Sequence, residues 1–458
     1  MARHDAAAYA KMHQDIDQIG AGVMRVAPAG AACHDARVAR MTSDARIGRR
    51  RFVAGSVAAL AAPLTLGACG ARPADLSFWA MSYQGDYAPF LMTAFTARTG
   101  LTVDVQSLPW TASHEKLLTA FAGDALPDVF MLPNGWVDEF AMIGAIRPLP
   151  SRALLDGVFP GVVPDTRTPH AVPWSVAPRV QFFRRDLLAD AGWEAPARDW
   201  DGWRRMAAAL KRRRPDDYVF LFLLNWPDDL LTMFSQVGGR VLRDGDTLGN
   251  FATPEGRAAL TYYKSLFDDG FAPVAASTEV QDQFAAFAQG QFAIWNSGPT
   301  TLLDFRRRSA ELPPDRWGTA RIAGPGGPGA ISTRDVSLCV STRSRHPNEA
   351  WALLRHCTAP ASERRFAGLI GSLPARQAAW SGMPFPADVI APFAAQARAV
   401  ADSPSIPEWE QIREQVGLYA ERAIRGLMSV EETLVALDAR ADAILAKRRA
   451  LVHAGKLA

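Results

Sequence analysis

AVPWSVAPRVQFFRRDLLADAGWEAPARDWDGW, residues Ala171–Trp203, is the stretch around which the chain is divided. It begins with two short apolar strand patterns. A helix follows over Arg184–Ala191 and ends at Gly192, a residue free to take the left-handed conformation found at helix C-termini. Asp199 is a good N-cap for the next helix, predicted over Trp200–Arg213. A strand, a helix, a loop and a helix at mid-length indicate that the chain crosses here from one lobe to another.

Length and composition are those of a soluble protein with two cores. The chain has 458 residues, of which 48% are hydrophobic and 21% charged. The formal charge of +3 is misleading, because residues 1–68 hold nine Lys/Arg and five Asp/Glu and leave 41 basic and 42 acidic residues in the rest. A body so close to neutral argues against a nucleic-acid partner. The 13 Trp residues offer aromatic faces that suit the apolar faces of sugars.

The four cysteines give no metal-binding pattern. Cys33, Cys69, Cys339 and Cys357 form no CxxC pair, so no structural zinc or other metal site is predicted. Cys339 lies in a strand pattern and Cys357 in a helix pattern, and both are predicted to be buried thiols rather than disulfide partners. The glycines of 323–330 are interleaved with prolines and lack a strand-to-helix context, so they predict a loop, and no cofactor is predicted.

Residues 41–69 have the pattern of an export signal. Arginines precede a short apolar run that is too short to span a bilayer as a permanent helix. Arg49, Arg50 and Phe52 resemble the twin-arginine export motif. The run ends at Cys69 in a sequence that resembles a lipobox, which implies a lipidated, membrane-anchored protein in the periplasm or at the cell surface. An ordinary signal peptide is the alternative, and residues 1–40 are predicted to be a non-native or disordered extension.

Strands alternate with helices from residue 76 onward, which predicts a mainly parallel sheet. The predicted strands are Leu76–Ala80, Leu101–Gln106, Leu126–Leu132, Val219–Leu224, Gln291–Trp295 and Val336–Val340. Ligands gather at the carboxyl ends of the strands in such sheets. The loops at 82–84, 108–111 and 133–136 are therefore expected to line a binding site.

The order of the motifs resembles extracellular solute-binding proteins of sugar-type ABC transporters (family 1, maltose-binding-protein-like). The resemblance covers roughly residues 75–449 and depends on the order and spacing of several short motifs. They are Pro173-Trp174, Asp186-Leu187-Leu188, Ala191-Gly192, Trp200-Asp201, Gly238-Gly239, Gly298-Pro299, Leu373-Pro374, Arg376 and Gly426–Leu437. In Gly426–Leu437 the chain departs from the family pattern at Thr433.

The resemblance implies a two-lobed periplasmic-binding-protein fold (type II), an α/β fold in which each lobe is a mainly parallel sheet flanked by helices. It places the N-terminal lobe at residues 75–176 plus 334–375 and the C-terminal lobe at 177–333 plus 376–458. It also implies a monomeric, non-enzymatic component of a carbohydrate ABC importer. Such a protein captures a mono- or oligosaccharide in the interlobe cleft and delivers it to the permease subunits, and it reaches the membrane only through its lipid anchor.

A sugar needs aromatic side chains for its C–H faces and planar hydrogen-bonding side chains for its hydroxyls. The candidates at strand ends and helix starts are Ser82, Tyr83, Gln84, Trp110, Asn134, Trp136, Trp174, Arg179, Asn225, Trp226, Trp295, Asn296, Arg376 and Trp409. Trp174, Arg179, Asn134, Trp136 and Asn296 also match positions in the family's motifs. The alternatives are that Trp295 is a core residue, that Arg179 pairs with an acid near the hinge, and that Gln84 and Asn225 are turn residues.

Other ligand and function classes stay open. A sugar phosphate or phosphodiester would require an arginine cluster, and the candidate set contains only Arg179 and Arg376. A secreted carbohydrate hydrolase would require two carboxylates about 5–10 Å apart. The acids to consider are Asp128, Asp138, Glu139, Asp228 and Asp229, for which strand and helix-start roles are favoured. A ligand-sensing partner of a receptor would use the same fold and cleft.

Overall fold

The structure, a computed structural model, describes residues 74–163, 168–331, 335–401 and 403–455. The predicted extension at 1–40 and the predicted export signal at 41–69, with Cys69, lie outside these residues. The strands are β1 Leu76–Met81, β2 Val103–Leu108, β3 Val129–Pro133, β4 Val172–Val176, β5 Val180–Arg184, β6 Leu242–Arg243, β7 Leu248–Gly249, β8 Ile294–Ser297, β9 Trp317–Ala320, β10 Ala323–Gly324, β11 Gly327–Pro328, β12 Val336–Val340 and β13 Leu373–Pro374.

Helices pack around these strands. They are α1 Ser82–Tyr87, α2 Pro89–Thr99, α3 Trp110–Ala122, α4 Val137–Met142, α5 Arg185–Asp190, α6 Trp200–Arg213, α7 Asp228–Gln236, α8 Pro254–Asp268, α9 Gln283–Ala288, α10 Thr301–Arg307, α11 Pro347–Cys357, α12 Pro360–Ile370, α13 Ala387–Gln396, α14 Trp409–Ile424, α15 Val430–Ile444 and α16 Ala446–His453. Within the described residues, no helix combines the length and the apolar character that a membrane crossing requires.

The first sheet has the strand order β13-β4-β12-β3-β1-β2. β1 is parallel to both β2 and β3, as the alternating strands and helices predict. β12 returns from the distant part of the chain and pairs antiparallel with both β3 and β4. Phe78, Phe130 and Leu338 of this sheet are fully buried in one apolar core. We call this sheet and the helices packed on it the N-terminal lobe.

The second sheet has the order β8-β5-β9. Both outer strands pair antiparallel with β5, so the prediction of a mainly parallel sheet is wrong for this part of the chain. Val219–Leu224, predicted as a strand, forms a single parallel bridge from Phe220 to Ile294 and also hydrogen-bonds to the carbonyls of Phe271 and Ala275. We call this sheet, with the helices packed on it and the long α14–α15 hairpin, the C-terminal lobe.

Helix starts follow their predicted caps. The Asp199 side chain accepts a hydrogen bond from the Gly202 amide at 2.7 Å and caps α6. Thr253 caps α8, with Pro254 at its first position. Leu445 separates α15 from α16.

The predicted loop at 82–84 is wrong, because α1 begins directly after β1. A Cβ atom on Gly85 would lie 2.6 Å from the carbonyl oxygen of Ala80 and 2.7 Å from the Cα of Ser107. Glycine therefore allows the helix to fold back tightly against the ends of β1 and β2. This turn fixes the direction of the side chains that leave the first strand.

A third apolar cluster connects the two sheets. It joins Leu373 of β13 in the first sheet, and the nearby Phe159, to Phe182 of β5 and Phe305 of α10. The rings of Phe182 and Phe305 stack with centroids 5.0 Å apart. The crossing from β4 to β5 is also fixed by the Ala177 amide, which donates to Asp335 Oδ1 at 2.8 Å. The lobes are thus held together on the side of the crossing segments.

Cys339 and Cys357 are buried free thiols, which confirms the prediction. Burial raises the pKa of the Cys357 thiol to about 12, and it also raises the pKa of Cys339. Both thiols are therefore protonated at neutral pH and act as small apolar core groups.

Candidate functional site

The sheet topology brings the two lobes face to face. The carboxyl ends of β1, β2 and β3 lie along one edge of the first sheet because these strands are parallel. β5 begins four residues after β4 ends, and its first residue, Val180, pairs with Ser297 at the end of β8. The ends of β1–β3 and the end of β8 therefore lie on the side where the chain crosses between the lobes.

A groove of about 410 Å³ lies between the lobes, and we call it the interlobe groove. Its N-terminal wall consists of residues from α1 and the end of α12. Its C-terminal wall consists of residues from the segment before α7, from α9, from β8 and from α10. The lining residues are Tyr83, Tyr87, Leu369 and Ile370 on the first wall, and Trp226, Gln281, Asp282, Gln283, Phe284, Trp295, Ser297, Thr300, Thr301, Leu303, Asp304, Arg307 and Arg308 on the second.

Three predicted residues lie in this groove. Tyr83 is 63% exposed on the N-terminal wall, and Trp226 is 39% exposed on the C-terminal wall. Exposed aromatic rings of this kind can stack on the C–H face of a sugar ring. Trp295 contributes an edge to the groove but is otherwise buried against Phe182 and Phe287, so it also fulfils the alternative that it is a core residue.

A buried charged network lies beside the C-terminal wall. Arg179 Nη2 donates to Asp229 Oδ2 at 3.2 Å and to the carbonyl oxygen of Asn296 at 2.6 Å. The Asn296 side chain donates to Asp229 Oδ1 at 2.9 Å. The predicted alternative for Arg179, a pairing with an acid, is therefore what the structure contains. This network fixes the end of β8 relative to the crossing residues.

The pKa values of the pair reflect burial and attraction. Burial raises the pKa of Asp229, and the charge of Arg179 and the hydrogen bond from Asn296 oppose that rise. Burial lowers the pKa of Arg179, but Asp229 and Asp228 more than offset this and raise it. Arg413 adds a second ion pair, to Asp228 at 3.2 Å. The C-terminal lobe thus contains a rigid, buried polar network behind the groove.

The structure places Trp174 in the core, which corrects the prediction that it contacts a ligand. Its ring stacks on Phe366 at 4.7 Å and meets Phe78 edge-on at 5.9 Å. Only 1% of Trp174 is exposed. The Trp174 ring therefore packs inside the core and is not accessible to a sugar.

Arg376 is also a structural residue, and this is a second correction. Its guanidinium donates to the carbonyl oxygens of Thr358, Asp156 and Leu154 at 2.5–2.6 Å. These carbonyls belong to the N-terminal lobe, so the Arg376 side chain is fixed to that lobe, although the predicted limits place residue 376 in the C-terminal lobe. An arginine that satisfies three carbonyls has little capacity left for a ligand.

Other predicted residues lie at strand ends but have local partners. Asn225 exchanges two hydrogen bonds with Ser277, at 2.8 and 2.9 Å, as the turn alternative expects. Asn134 donates to the carbonyl oxygen of Val162 and accepts from Ser337. Ser82 and Gln84 belong to α1.

The remaining aromatic candidates have different surroundings. Trp110 is 42% exposed at the start of α3. Trp136 is partly buried, and its ring lies 4.7 Å from the ring of His114, whose Nε2 in turn pairs with Glu139 at 2.7 Å. Trp409 is buried beside a separate cavity of about 240 Å³ in the C-terminal lobe.

Four of the five acids considered for a hydrolase have structural partners, and the fifth, Asp138, lies in the first turn of α4. Asp128 accepts hydrogen bonds from the Ser77 amide and hydroxyl at 2.8 Å each and from the Ser344 hydroxyl at 2.7 Å. Glu139 pairs with His114, and Asp228 and Asp229 pair with arginines. These acids therefore contribute to folding contacts in the structure.

The sequence did not single out the polar residues on α10. Thr300, Asp304 and Arg308 recur at helical spacing directly after the Gly298-Pro299 turn, and all three line the groove. That spacing is the signal that the sequence contains. A prediction that takes binding residues from loops at strand ends does not include residues on the face of a helix. Burial raises the pKa of the Asp304 carboxyl, against the charges of Arg307 and Arg308.

Comparison with known proteins identifies related chains. The family described as bacterial extracellular solute-binding protein matches residues 82–364. The solved structure of the sugar-binding protein MalE from Xanthomonas citri is 36% identical, covers 82% of this chain and 99% of its own, and superposes with a TM-score of 0.78.

Two further proteins are more distantly similar to this chain. The GacH receptor of Streptomyces glaucescens is 21% identical, covers 81% of this chain and 98% of its own, and has a TM-score of 0.69. The diacetylchitobiose binding protein DasA of Streptomyces coelicolor is 25% identical and aligns over 76% of this chain and 83% of its own. The structural neighbours support the predicted two-lobed type II fold.

Proposed function

The chain belongs to the bacterial extracellular solute-binding proteins, and from this premise we propose that it is the substrate-binding component of a carbohydrate ABC importer. It captures a neutral mono- or oligosaccharide between its lobes and delivers it unchanged to the permease subunits. The observation that supports this most strongly is the interlobe groove, which presents Tyr83 and Trp226 from opposite lobes. Relatives that are named as sugar-binding proteins support the same ligand class.

The groove has the chemistry that this function requires. Aromatic rings on two walls suit the C–H faces of a sugar, and the hydroxyls of Ser297, Thr300 and Thr301 are near enough to line the same space. A ligand that touches both walls has contacts that exist only when the lobes are close together. It would therefore favour the closed arrangement over the open one by the free energy of those contacts.

The proposed site comprises Tyr83, Trp226 and Trp295 in the groove, with Trp110, Asn134 and Trp136 at the neighbouring strand ends of the N-terminal lobe. Ser82, Gln84, Arg179, Asn225 and Asn296 shape the walls through the contacts described above, and Trp409 borders the second cavity. We propose the lobe limits 75–176 with 334–375 and 177–333 with the remainder, with Arg376 moved to the first lobe.

We also propose that the protein is exported by the twin-arginine route, is lipidated at Cys69, and acts as a monomer in the periplasm or at the cell surface. The support for this is the sequence pattern of residues 41–69 alone. Metabolic labelling with a fatty acid tests it, because a Cys69→Ala variant is expected to lose the label. Retention of the label in that variant would contradict lipidation at this residue.

A thermal-shift screen of the full chain tests the main proposal. The panel contains maltose, trehalose, sucrose, cellobiose and N,N′-diacetylchitobiose, together with glucose 6-phosphate and trehalose 6-phosphate. A ligand at about 100 times its Kd stabilises the folded state by about 2.7 kcal/mol, which gives a clear rise in Tm. Chromatography of the recovered sugar then separates binding from cleavage.

Each outcome of the screen has a defined meaning. A rise in Tm with recovery of the intact sugar supports the proposal. Recovery of a cleaved sugar would indicate the hydrolase alternative, and a rise only with phosphorylated sugars would indicate the sugar-phosphate alternative. A chain that responds to none of these compounds is not a carbohydrate-binding protein of the proposed kind.

A further inference from the structure

The face of α10 that borders the interlobe groove carries a line of polar residues. Thr300 lies directly before the helix, and Asp304, Arg307 and Arg308 follow at spacings of four, seven and eight residues. Residues at these spacings share one side of a helix. All of these residues line the groove, so this side faces the space opposite Tyr83.

Several of the hydrogen-bonding groups on this wall already have partners. Arg308 donates to both oxygens of Asp282 at 2.7 and 2.8 Å and forms two further bonds with Glu311. The hydroxyls of Thr301 and Ser297 bond to each other at 2.7 Å. These groups are committed to holding the wall together.

Asp304 differs from Ser297, Thr301 and Arg308, whose side chains are all paired. In the described part of the chain its carboxylate makes no hydrogen bond or ion pair, although it is exposed in the groove. Desolvation there raises the pKa of this carboxyl, which indicates that water solvates it less well than at an open surface. A carboxylate in this position is stabilised by the hydrogen-bond donors that a ligand brings.

We infer that Asp304 determines the ligand specificity of the interlobe groove by accepting hydrogen bonds from the hydroxyls of a neutral saccharide and by repelling phosphorylated sugars. The inference rests on the proposed function and concerns the choice between its two ligand classes. A carboxylate can accept from two adjacent hydroxyls at once, and such charge-assisted bonds are stronger than neutral ones. The same negative charge opposes a phosphate group brought into the groove.

Arg307 is the cation that could reverse this preference. It is exposed on the same helix face, and the described residues give its side chain no hydrogen bond or ion pair. A phosphate that bound in the groove would use its guanidinium. Removal of the Asp304 charge is therefore expected to strengthen the binding of phosphorylated ligands, and removal of the Arg307 charge is expected to weaken it.

Calorimetric titration of the full chain with matched pairs tests the inference. The pairs are glucose with glucose 6-phosphate and trehalose with trehalose 6-phosphate, and maltose and N,N′-diacetylchitobiose extend the neutral set. The wild-type chain is expected to bind the neutral member of a pair more tightly. Asp304→Asn is expected to weaken binding of the neutral sugar by about 10- to 100-fold and to narrow the preference between the two members.

Two further variants separate specificity from folding. Asp304→Glu keeps the charge and is expected to restore part of the preference. Asp104→Asn makes the same charge change on the exposed face of β2, away from the groove. It is expected to leave the affinity for both members of a pair unchanged. The Tm of each variant verifies that the chain is folded.

The outcomes distinguish failure of the inference from failure of the proposed function. If the wild type binds a neutral sugar and Asp304→Asn binds it equally well with an unchanged preference, the inference is overturned and the function stands. If the wild type prefers the phosphorylated member and Arg307→Gln removes that preference, Arg307 determines specificity instead. If the wild type binds no probe, the proposed function and the inference both fail.

Discussion

Each lobe buries an acidic side chain, and the two lobes compensate its charge in different ways. In the C-terminal lobe Asp229 is 4% exposed and faces a guanidinium and an amide. In the N-terminal lobe Glu363 is 2% exposed, and its Oε2 accepts only the Arg376 amide at 2.9 Å while Oε1 has no hydrogen-bond partner among the described groups. Burial raises the pKa of Glu363 well above its usual range.

The same desolvation is thus offset by a cation in one lobe and by a proton in the other. A buried ion pair holds its partners at fixed distances and orientations, and here it ties Arg179, next to the crossing, to the end of β8. A protonated carboxyl imposes no such constraint. The ordered polar network therefore lies on the groove side of the C-terminal lobe. The N-terminal lobe contributes mainly apolar packing and exposed aromatic rings.

Removal of the paired acid is expected to have the largest effect. Asp229→Ala leaves the Arg179 guanidinium buried without its counter-charge and leaves the Asn296 amide without its acceptor. Breaking a buried pair in this way costs about 3–5 kcal/mol. Urea denaturation at pH 7 is expected to show this loss in the free energy of unfolding.

Asp190→Ala is the control for this experiment, because Asp190 is exposed at the end of α5 and its loss is expected to change stability by less than about 0.5 kcal/mol. Asp229→Asn keeps one acceptor oxygen, which can serve Arg179 or Asn296 but not both. Its loss in the free energy of unfolding is expected to fall between those of Asp229→Ala and Asp190→Ala. An Asp229→Ala chain as stable as the control would show that the pair contributes nothing to the fold.

The N-terminal acid is expected to give a smaller and pH-dependent effect. The folded pKa of Glu363 lies above its unfolded value, so between the two the folded chain holds a proton that the unfolded chain has lost. The contribution of Glu363 to stability is therefore complete below its unfolded pKa and falls by about 1.4 kcal/mol for each pH unit across that interval.

Glu363→Gln removes the titrating group but keeps its shape. Urea denaturation of both chains from pH 4 to pH 8 is expected to show that the wild type loses stability relative to the variant as pH rises. A constant difference between the two chains over this range would mean that Glu363 is ionised in the folded protein, as Asp229 is expected to be.

Several of these contacts could be predicted from sequence, and others could not, for physical reasons. The caps at Asp199 and Thr253 are local, because a side chain and an amide three residues away decide them. The crossing at 177–179 was also predictable, since two strand patterns are separated by Pro178. The antiparallel sheet of the C-terminal lobe was not, because β8 and β9 reach β5 from more than 100 positions away.

The site shows the same limit. Tyr83 and Trp226 could be predicted because they follow a strand or an apolar run, where side chains are free to face a ligand. Trp174 looks equivalent in sequence, but β4 is buried along its whole length, and the Trp174 ring packs against Phe366. Arg376 could not be assigned, since the carbonyls that it satisfies lie in a 3-10 helix near residue 155 and at the end of α11.

The smallest expected effect compares the aromatic residues that the two lobes place in the groove. Tyr83→Ala and Trp226→Ala remove exposed rings, so each is expected to change the free energy of unfolding by less than about 0.5 kcal/mol. If the rings stack on a sugar, each loss is expected to weaken binding by about 3- to 10-fold, with the larger effect for Trp226, whose ring is less exposed and larger.

Tyr218→Ala is a matched control, because Tyr218 is also 39% exposed but lies outside the groove lining. Calorimetric titration with a sugar that raises the Tm should separate Tyr218→Ala from the other two variants. Equal affinities for all three would place the sugar away from Tyr83 and Trp226.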